Sequence, residues 1–400
     1  MSIIAQRFRA AAPSATVQVF ERAFELKRQG KPVIALAAGE PDFDTPENVR
    51  AAAMEALNQG KTRYAPVPGI MELREAICAK LQRDNGLTYS PGEISVGSGA
   101  KQSIFSALMA TLEPGDEVII PTPFWVSFAD IALMMGAKVT AVDTTFEDDF
   151  KLTPRALDAA ITPKTKWVIL CTPSNPTGAV YSDDELRALA KVLERHPHVW
   201  VMTDHIYEKL VFEGGASRTI AEVDPAFQQR SVIINGVSKG HCMTGWRIGY
   251  IAGPKELIGP INAIQSQVTT SACTLSQWAA IEALNGDQSY IEQNNLQFKR
   301  RRDLVVEGLN AIDGIECRTP RGAFYVYASM SGLIGATTPD GVRIATDTDF
   351  VDYLLREALV AVIPGAAFHL SPFFRLTYSA SLEALEEALQ RMASACAKLT

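Results

Sequence analysis

Ser238-Lys239-Gly240-His241-Cys242-Met243-Thr244-Gly245-Trp246-Arg247 lies between two short apolar runs, Ser231-Val232-Ile233-Ile234-Asn235 and Ile248-Gly249-Tyr250-Ile251-Ala252. The length and β-branched content of both runs suit buried strands, which places Lys239 on a loop between them. A lysine held there stays reachable, and an amine kept unprotonated by burial and cationic neighbours can condense with a carbonyl to a Schiff base. Arg247 offers a planar fork suited to a phosphate. Taken alone, the pair also fits two solvated surface cations.

Working back towards the N-terminus, the same arrangement recurs. Asp204 ends the apolar run Val199-Trp200-Val201-Met202-Thr203, with Tyr207 close behind. A carboxylate at the mouth of an apolar strand is costly unless paired. Asn175, in Pro173-Ser174-Asn175-Pro176-Thr177-Gly178, follows the strand Lys166 to Leu170, where a turn asparagine is an equal reading. Trp125 follows Glu117-Val118-Ile119-Ile120 and fits a core position as well as a site. The run Glu93-Ile94-Ser95-Val96 leads into Gly97-Ser98-Gly99-Ala100-Lys101-Gln102 and an apolar helix. A glycine turn opening a helix gathers unpaired N–H groups and a positive dipole end, which suits a phosphate. Strands alternating with helices predict a mainly parallel sheet with its ligand outside the carboxyl ends of the strands.

The remaining segments are shorter signals. Ser14 can cap a helix to about Gln29, and Thr45-Pro46 reads as a helix start. Gly39 and Pro41 read as a turn, and Tyr64 sits in a proline-rich loop. Ser182 and Glu185 form a capping box. Beyond Gly253-Pro254 the pattern predicts helices over 255–284 and 287–309, strands at 323–327, 359–363 and 373–378, and a last helix from Leu382. Lys299-Arg300-Arg301-Arg302 is expected on a solvated face, and Arg375 on an edge strand, pointing away from Phe374 and Leu376.

With 400 residues, 47% of them hydrophobic, the chain can bury a large core in two or more units. A formal charge of −7 argues against nucleic acid or an anionic membrane as partner. Six dispersed cysteines without a CxxC pair indicate neither zinc nor disulfides, and predict reduced thiols in the cytoplasm. No apolar run reaches the roughly 20 residues of a membrane span.

The lysine segment resembles that of fold type I enzymes dependent on pyridoxal 5′-phosphate, class I and II aminotransferases. Met243-Thr244-Gly245-Trp246-Arg247 is similar to the form found in bacterial aspartate and prephenate aminotransferases. The resemblance runs from about Pro13 to the last helix. It implies an α/β fold: a large, mainly parallel-sheet cofactor domain over 46–285, and a smaller α+β domain built from 1–45 and 286–400 that closes over the substrate.

It also implies roles for individual residues. Lys239 carries the cofactor and shuttles the proton, Gly99, Ala100, Lys101 and Arg247 hold the phosphate, and Ser238 binds the cofactor. Trp125 stacks on the pyridine ring, Asp204 pairs with its nitrogen, and Tyr207 and Asn175 bind its phenolic oxygen. Gly39, Asn175 and Arg375, with Trp125, meet the substrate, Arg375 through the α-carboxylate. Tyr64 reaches the phosphate of the neighbouring protomer, which implies a homodimer with shared sites.

The implied reaction is ping-pong transfer of an α-amino group from an L-amino acid to a 2-oxo acid. A lyase or decarboxylase on the same fold is the alternative. A regulatory protein with a DNA-binding module is disfavoured by the short segment ahead of Pro13. In aspartate- and prephenate-using relatives a basic residue precedes the Pro-Ser-Ala-Thr segment. Here Ala10-Ala11-Ala12 stand there, with Arg9 the nearest base, which leaves neutral or aromatic donors open. His205 and His241 depart from the pattern and have no role beyond tuning by His205.

Overall fold

The computed structural model describes Ile3 and Ala15 to Thr400. Arg9, the alanines at 10–12 and the expected cap at Ser14 lie outside the described residues. The strands are β1 (Ile34–Ala35), β2 (Ile94–Gly97), β3 (Glu117–Pro121), β4 (Lys138–Val142), β5 (Thr165–Cys171) and β6 (Trp200–Asp204). They continue as β7 (Ser231–Gly236), β8 (Gly249–Ala252), β9 (Tyr325–Ser329), β10 (Val360–Ala361), β11 (Ile363–Pro364) and β12 (Phe373–Thr377).

A seven-stranded sheet runs in the order β2-β8-β7-β6-β5-β3-β4. Only β8 is reversed, pairing antiparallel with both β2 and β7. The other six strands therefore end on one edge. Alternation along the strands divides the core: Val118, Ile120, Trp167 and Ile169 pack against Leu108, Phe128 and Ile261. Ile119, Val168 and Leu170 face the opposite way, against Leu157, Leu186 and Leu193. A buried strand with helices on both faces has no polar side, which is why these runs read as continuous hydrophobic stretches.

The rest of the chain gathers around a three-stranded antiparallel sheet, β11-β12-β9, packed against the helices Ser289–Asn310 and Leu382–Cys396. β1 pairs in parallel with β10, which brings the N-terminal segment to this unit.

Several expectations from the sequence are corrected here. The helix Glu47–Asn58 starts where Thr45-Pro46 predicts it, though without a side-chain cap. Thr45 Oγ1 instead donates to Cys242 O at 2.7 Å and accepts from Trp246 Nε1 at 3.0 Å, anchoring the lysine loop. Arg375 is on the central strand of its sheet, between Ile363 and Tyr327, and is buried. Only Lys299 and Arg300 of the basic run reach solvent; Arg302 is 2% exposed, bonded to Pro320 O, Glu213 and Asp303. Arg301 pairs with Asp42 at 2.7 Å. The helix expected over 255–284 is two helices, Lys255–Val268 and Thr274–Asn285. The single strand expected over 359–363 is β10 and β11, which pair with different partners.

Candidate active site

The carboxyl edge of the large sheet and the small unit enclose a cavity of about 480 Å³. Lys239, Asp204, Tyr207, Asn175, Trp125, Ala100, Lys101, Ser238, Arg247, Gly39 and Arg375 all line it. Tyr64 does not. It is 92% exposed.

Each strand end delivers one part. After β2 the chain turns at Gly99, φ +88°, into the helix Ala100–Thr111. A Cβ on Gly99 would stand 2.3 Å from Arg247 Nη2, so the guanidinium lies directly against the turn. Gly249 lets β8 approach as closely on the other side, since a Cβ there would be 2.2 Å from Ala100 N. Arg247 itself is left-handed, φ 56°, and donates to Thr244 O at 2.9 Å. Free helix N–H groups, a helix dipole and a guanidinium thus converge on one point, which is an anion cradle.

Asp204, at the end of β6, is buried, and Ile206 N at 3.2 Å is its hydrogen-bond donor. Burial pushes its carboxyl up to about 7, against the pull of Ile206 N–H and Lys239. Such an acid is stabilised by a cation placed against it. Lys239 Nζ donates to Gly39 O. Burial brings its amine down to about 8; Arg247 and Arg375 push the same way, while Glu40 and Asp204 oppose. Tyr207 Oη lies 2.9 Å from Tyr325 Oη. Trp125 is supported edge-on by Phe128, 5.5 Å between ring centroids.

Arg375 Nη1 donates to Asn175 Oδ1 at 2.9 Å and Nη2 to Ala37 O at 2.7 Å, while the buried Nε has no partner. No carboxylate lies within ion-pair distance of it among the described residues. A buried guanidinium bonded only to neutral groups is chemically able to receive a carboxylate. Lys101 Nζ stands 4.7 Å over the Trp125 ring at the cleft wall.

The sequence reading missed Tyr325, Glu40, Thr244 and Cys171, which also line the cleft. Glu40 accepts from Thr244 Oγ1 at 3.0 Å, tying the turn after Gly39 to the lysine loop. Cys171 is the register partner of Asp204, a pairing visible once the strand order is known.

His205 and His241 turn away from the cleft into a buried polar cluster. Asp204 and Tyr207 face the cleft, while His205 and Glu208 face the helix Met71–Asn85. Lys80, 2% exposed, pairs with Glu208, and Lys209 pairs with Asp84 at 2.7 Å. Burial alone would raise Glu208; Lys80, His205 and Lys209 override it and hold the carboxyl at about 2. Burial holds His205 down at about 4 and His241 at about 3.

A folded-state pKa below the unfolded value of 6.5 means that the unfolded chain takes up the protons first. The stability tied to these histidines is full above pH 6.5 and is lost as pH falls towards 4. The histidines' share of that loss is a few kcal/mol, and the raised Asp204 carboxyl works against it in the same window. Urea midpoints measured from pH 7.5 to 4 check this, and a His205→Gln, His241→Gln variant flattens the slope. An equal slope in that variant would assign the acid lability elsewhere.

Comparison with known proteins agrees with the geometry. The profile of the family "Aminotransferase class I and II" matches residues 31–392. The aspartate aminotransferase of Rhizobium meliloti (strain 1021) is 51% identical over 99% of this chain and 97% of its own. The aspartate/prephenate aminotransferase of Cereibacter sphaeroides is also 51% identical, over the whole of both chains. The crystal structure of a Rhizobium meliloti aspartate aminotransferase superposes with a TM-score of 0.97 at 50% identity, covering all of both chains. The Thermus thermophilus aspartate aminotransferase with maleate gives 0.92 at 42% identity, over 99% of this chain and 100% of that one. A family profile that covers most of the chain and relatives at about half identity over its full length agree, and the chain belongs to the class I and II aminotransferase family.

Proposed function

We propose that this aminotransferase binds pyridoxal 5′-phosphate through Lys239 and passes an α-amino group from an acidic L-amino acid, aspartate or glutamate, to a 2-oxo acid. The observation that carries the cofactor reading is the buried Asp204 carboxylate, without a cation bonded to it, in the same cleft as the low-pKa amine of Lys239. When bound, the cofactor supplies the electron sink that lets a bond at the substrate Cα break.

The chain's own residues would do the following. Asp204 holds the ring nitrogen protonated, and Trp125 covers one ring face. Tyr207 and Asn175 bond the phenolic oxygen. The N–H groups at Ala100 and Lys101 hold the phosphate together with Gly99, Ser238 and Arg247. Arg375, Asn175 and the Gly39 backbone orient the substrate α-carboxylate. The Lys239 amine would serve as the base for the substrate Cα proton, a role that needs a pKa near the working pH.

Lys101 supports the acidic donor. Its ammonium lines the cleft with no carboxylate within ion-pair distance among the described residues, and burial, with Arg247, lowers its pKa. It offers the distal carboxylate the cation that Ala10-Ala11-Ala12 do not. The names of the relatives, aspartate and aspartate/prephenate aminotransferase, point the same way.

In the same proposal the chain works in the cytoplasm as a homodimer, with Tyr64 completing the partner's phosphate site. Its large domain spans 46–285, and 1–45 with 286–400 close over the substrate. A tyrosine 92% exposed on a proline-rich loop supports the dimer. Sedimentation at micromolar concentration reads it, and an active monomer would remove this role from Tyr64. No helix among the described residues is long and apolar enough to cross a membrane.

The test of the reaction is a half-reaction screen of the purified holoenzyme with single amino acids, following the visible cofactor band. A shift to shorter wavelength with aspartate or glutamate, reversed by 2-oxoglutarate, is the expected outcome. Faster conversion of aromatic or neutral donors would take the distal-carboxylate role from Lys101. No reversible shift with any donor would sink the cofactor reading.

A further inference from the structure

Tyr325 is one of the cleft side chains that the motifs leave without a task. It opens β9, is fully buried, and touches both ends of the site. Its hydroxyl is 2.9 Å from Tyr207 Oη, and its ring lies 4.6 Å from the Arg375 guanidinium carbon. A Cβ on Gly39 would come within 3.1 Å of the same hydroxyl, so the backbone there is shaped around it. Phe324 packs on the ring at 4.6 Å, leaving the phenol little freedom to turn.

A hydroxyl pair can run in either sense, and the surrounding charge decides which. Burial raises both phenols. Arg375 restrains Tyr325 to about 12, whereas Tyr207, with Tyr325, Cys171 and Asp204 about it, lies well above its ordinary value. The guanidinium lying over the Tyr325 ring, and not over that of Tyr207, makes the Tyr325 hydroxyl the better donor of the pair.

We infer that Tyr325 is a positioning residue that donates its proton to Tyr207 Oη, so that the Tyr207 proton points into the cleft, and that it thereby links the carboxylate receptor Arg375 to the cofactor's phenolic oxygen. This rests on the roles proposed above for Tyr207 and Arg375. A Tyr207 that accepts from Tyr325 is the stronger donor, because a hydrogen bond received polarises the one given. A strongly bonded phenolic oxygen holds the neighbouring imine proton less tightly. The ring of Tyr325 serves separately as a cation–π floor for Arg375.

Two variants separate the hydroxyl from the ring. In Tyr325→Phe holoenzyme, the pH midpoint of the visible band rises by roughly 0.5–1 unit, while the calorimetric Kd for maleate stays within about twofold because the ring remains. In Tyr325→Leu, maleate binding weakens by about tenfold. Tyr207→Phe is the control and raises the midpoint further.

An unmoved or lowered midpoint in Tyr325→Phe, with Tyr207→Phe raised, overturns the inference alone. Weakened maleate binding in Tyr325→Phe equal to that of Tyr325→Leu also overturns it, because the hydroxyl then serves the carboxylate. An unmoved midpoint in Tyr207→Phe removes the role of Tyr207 itself, and the inference falls with it.

Discussion

Replacing Lys239 by alanine abolishes turnover while the fold survives. The Lys239 amine has one protein hydrogen bond, to Gly39 O, so its loss costs little packing. Its chemical loss is total: the other amine lining the cleft among the described residues, Lys101, stands over Trp125. A fall in kcat of roughly 10⁴-fold or more is expected, the scale seen when a nucleophile or base is deleted. The visible band of the lysine-linked cofactor should vanish too. Circular dichroism and the urea midpoint are expected to stay near those of the parent. A variant keeping most of its kcat would sink the assignment.

Removing the Arg375 charge should move function and stability in opposite directions. Arg375 is buried and bonded to Asn175 Oδ1 and Ala37 O, with its Nε unpartnered, and burial lowers its pKa. A buried cation without an anion is a cost to the substrate-free protein. In Arg375→Leu, kcat/KM is expected to fall by about 10²- to 10³-fold, the cost of truncating one side of a buried charge pair. The thermal midpoint without substrate should hold or rise. Arg375→Lys keeps the charge but loses the two-pronged geometry, so its kcat/KM should lie between. Steady-state kinetics beside thermal denaturation read both. A variant that loses stability and keeps kcat/KM would make Arg375 a structural residue.

The parts of the site legible in the sequence are those that follow strand ends: Gly99, Trp125, Asn175, Asp204 and Lys239. A continuous apolar run followed by a polar residue is a local pattern, and the parallel sheet places every such junction on one edge. The capping box at Ser182 and Glu185 was equally local, and Ser182 Oγ accepts from Glu185 N in the structure. The helix Met71–Asn85 gave no start signal because its N-cap is Ile70, with no side-chain cap. The burial of Arg301 and Arg302 was illegible because their acids, Asp42, Glu213 and Asp303, come mostly from other elements.

By itself the sequence determined the order of the chemical groups along the chain and the sheet they ride on, since hydrophobic runs and turn residues act over a few neighbours. Tertiary structure alone decided that Arg375 meets Asn175, 200 positions away, that Lys239 meets Gly39 across the same span, and that Tyr325 joins Tyr207. It also decided the protonation chemistry. The shifts of Asp204 to about 7 and of Lys239 to about 8 come first from burial, and burial is set by what the whole chain packs against a group, not by that group's neighbours in sequence.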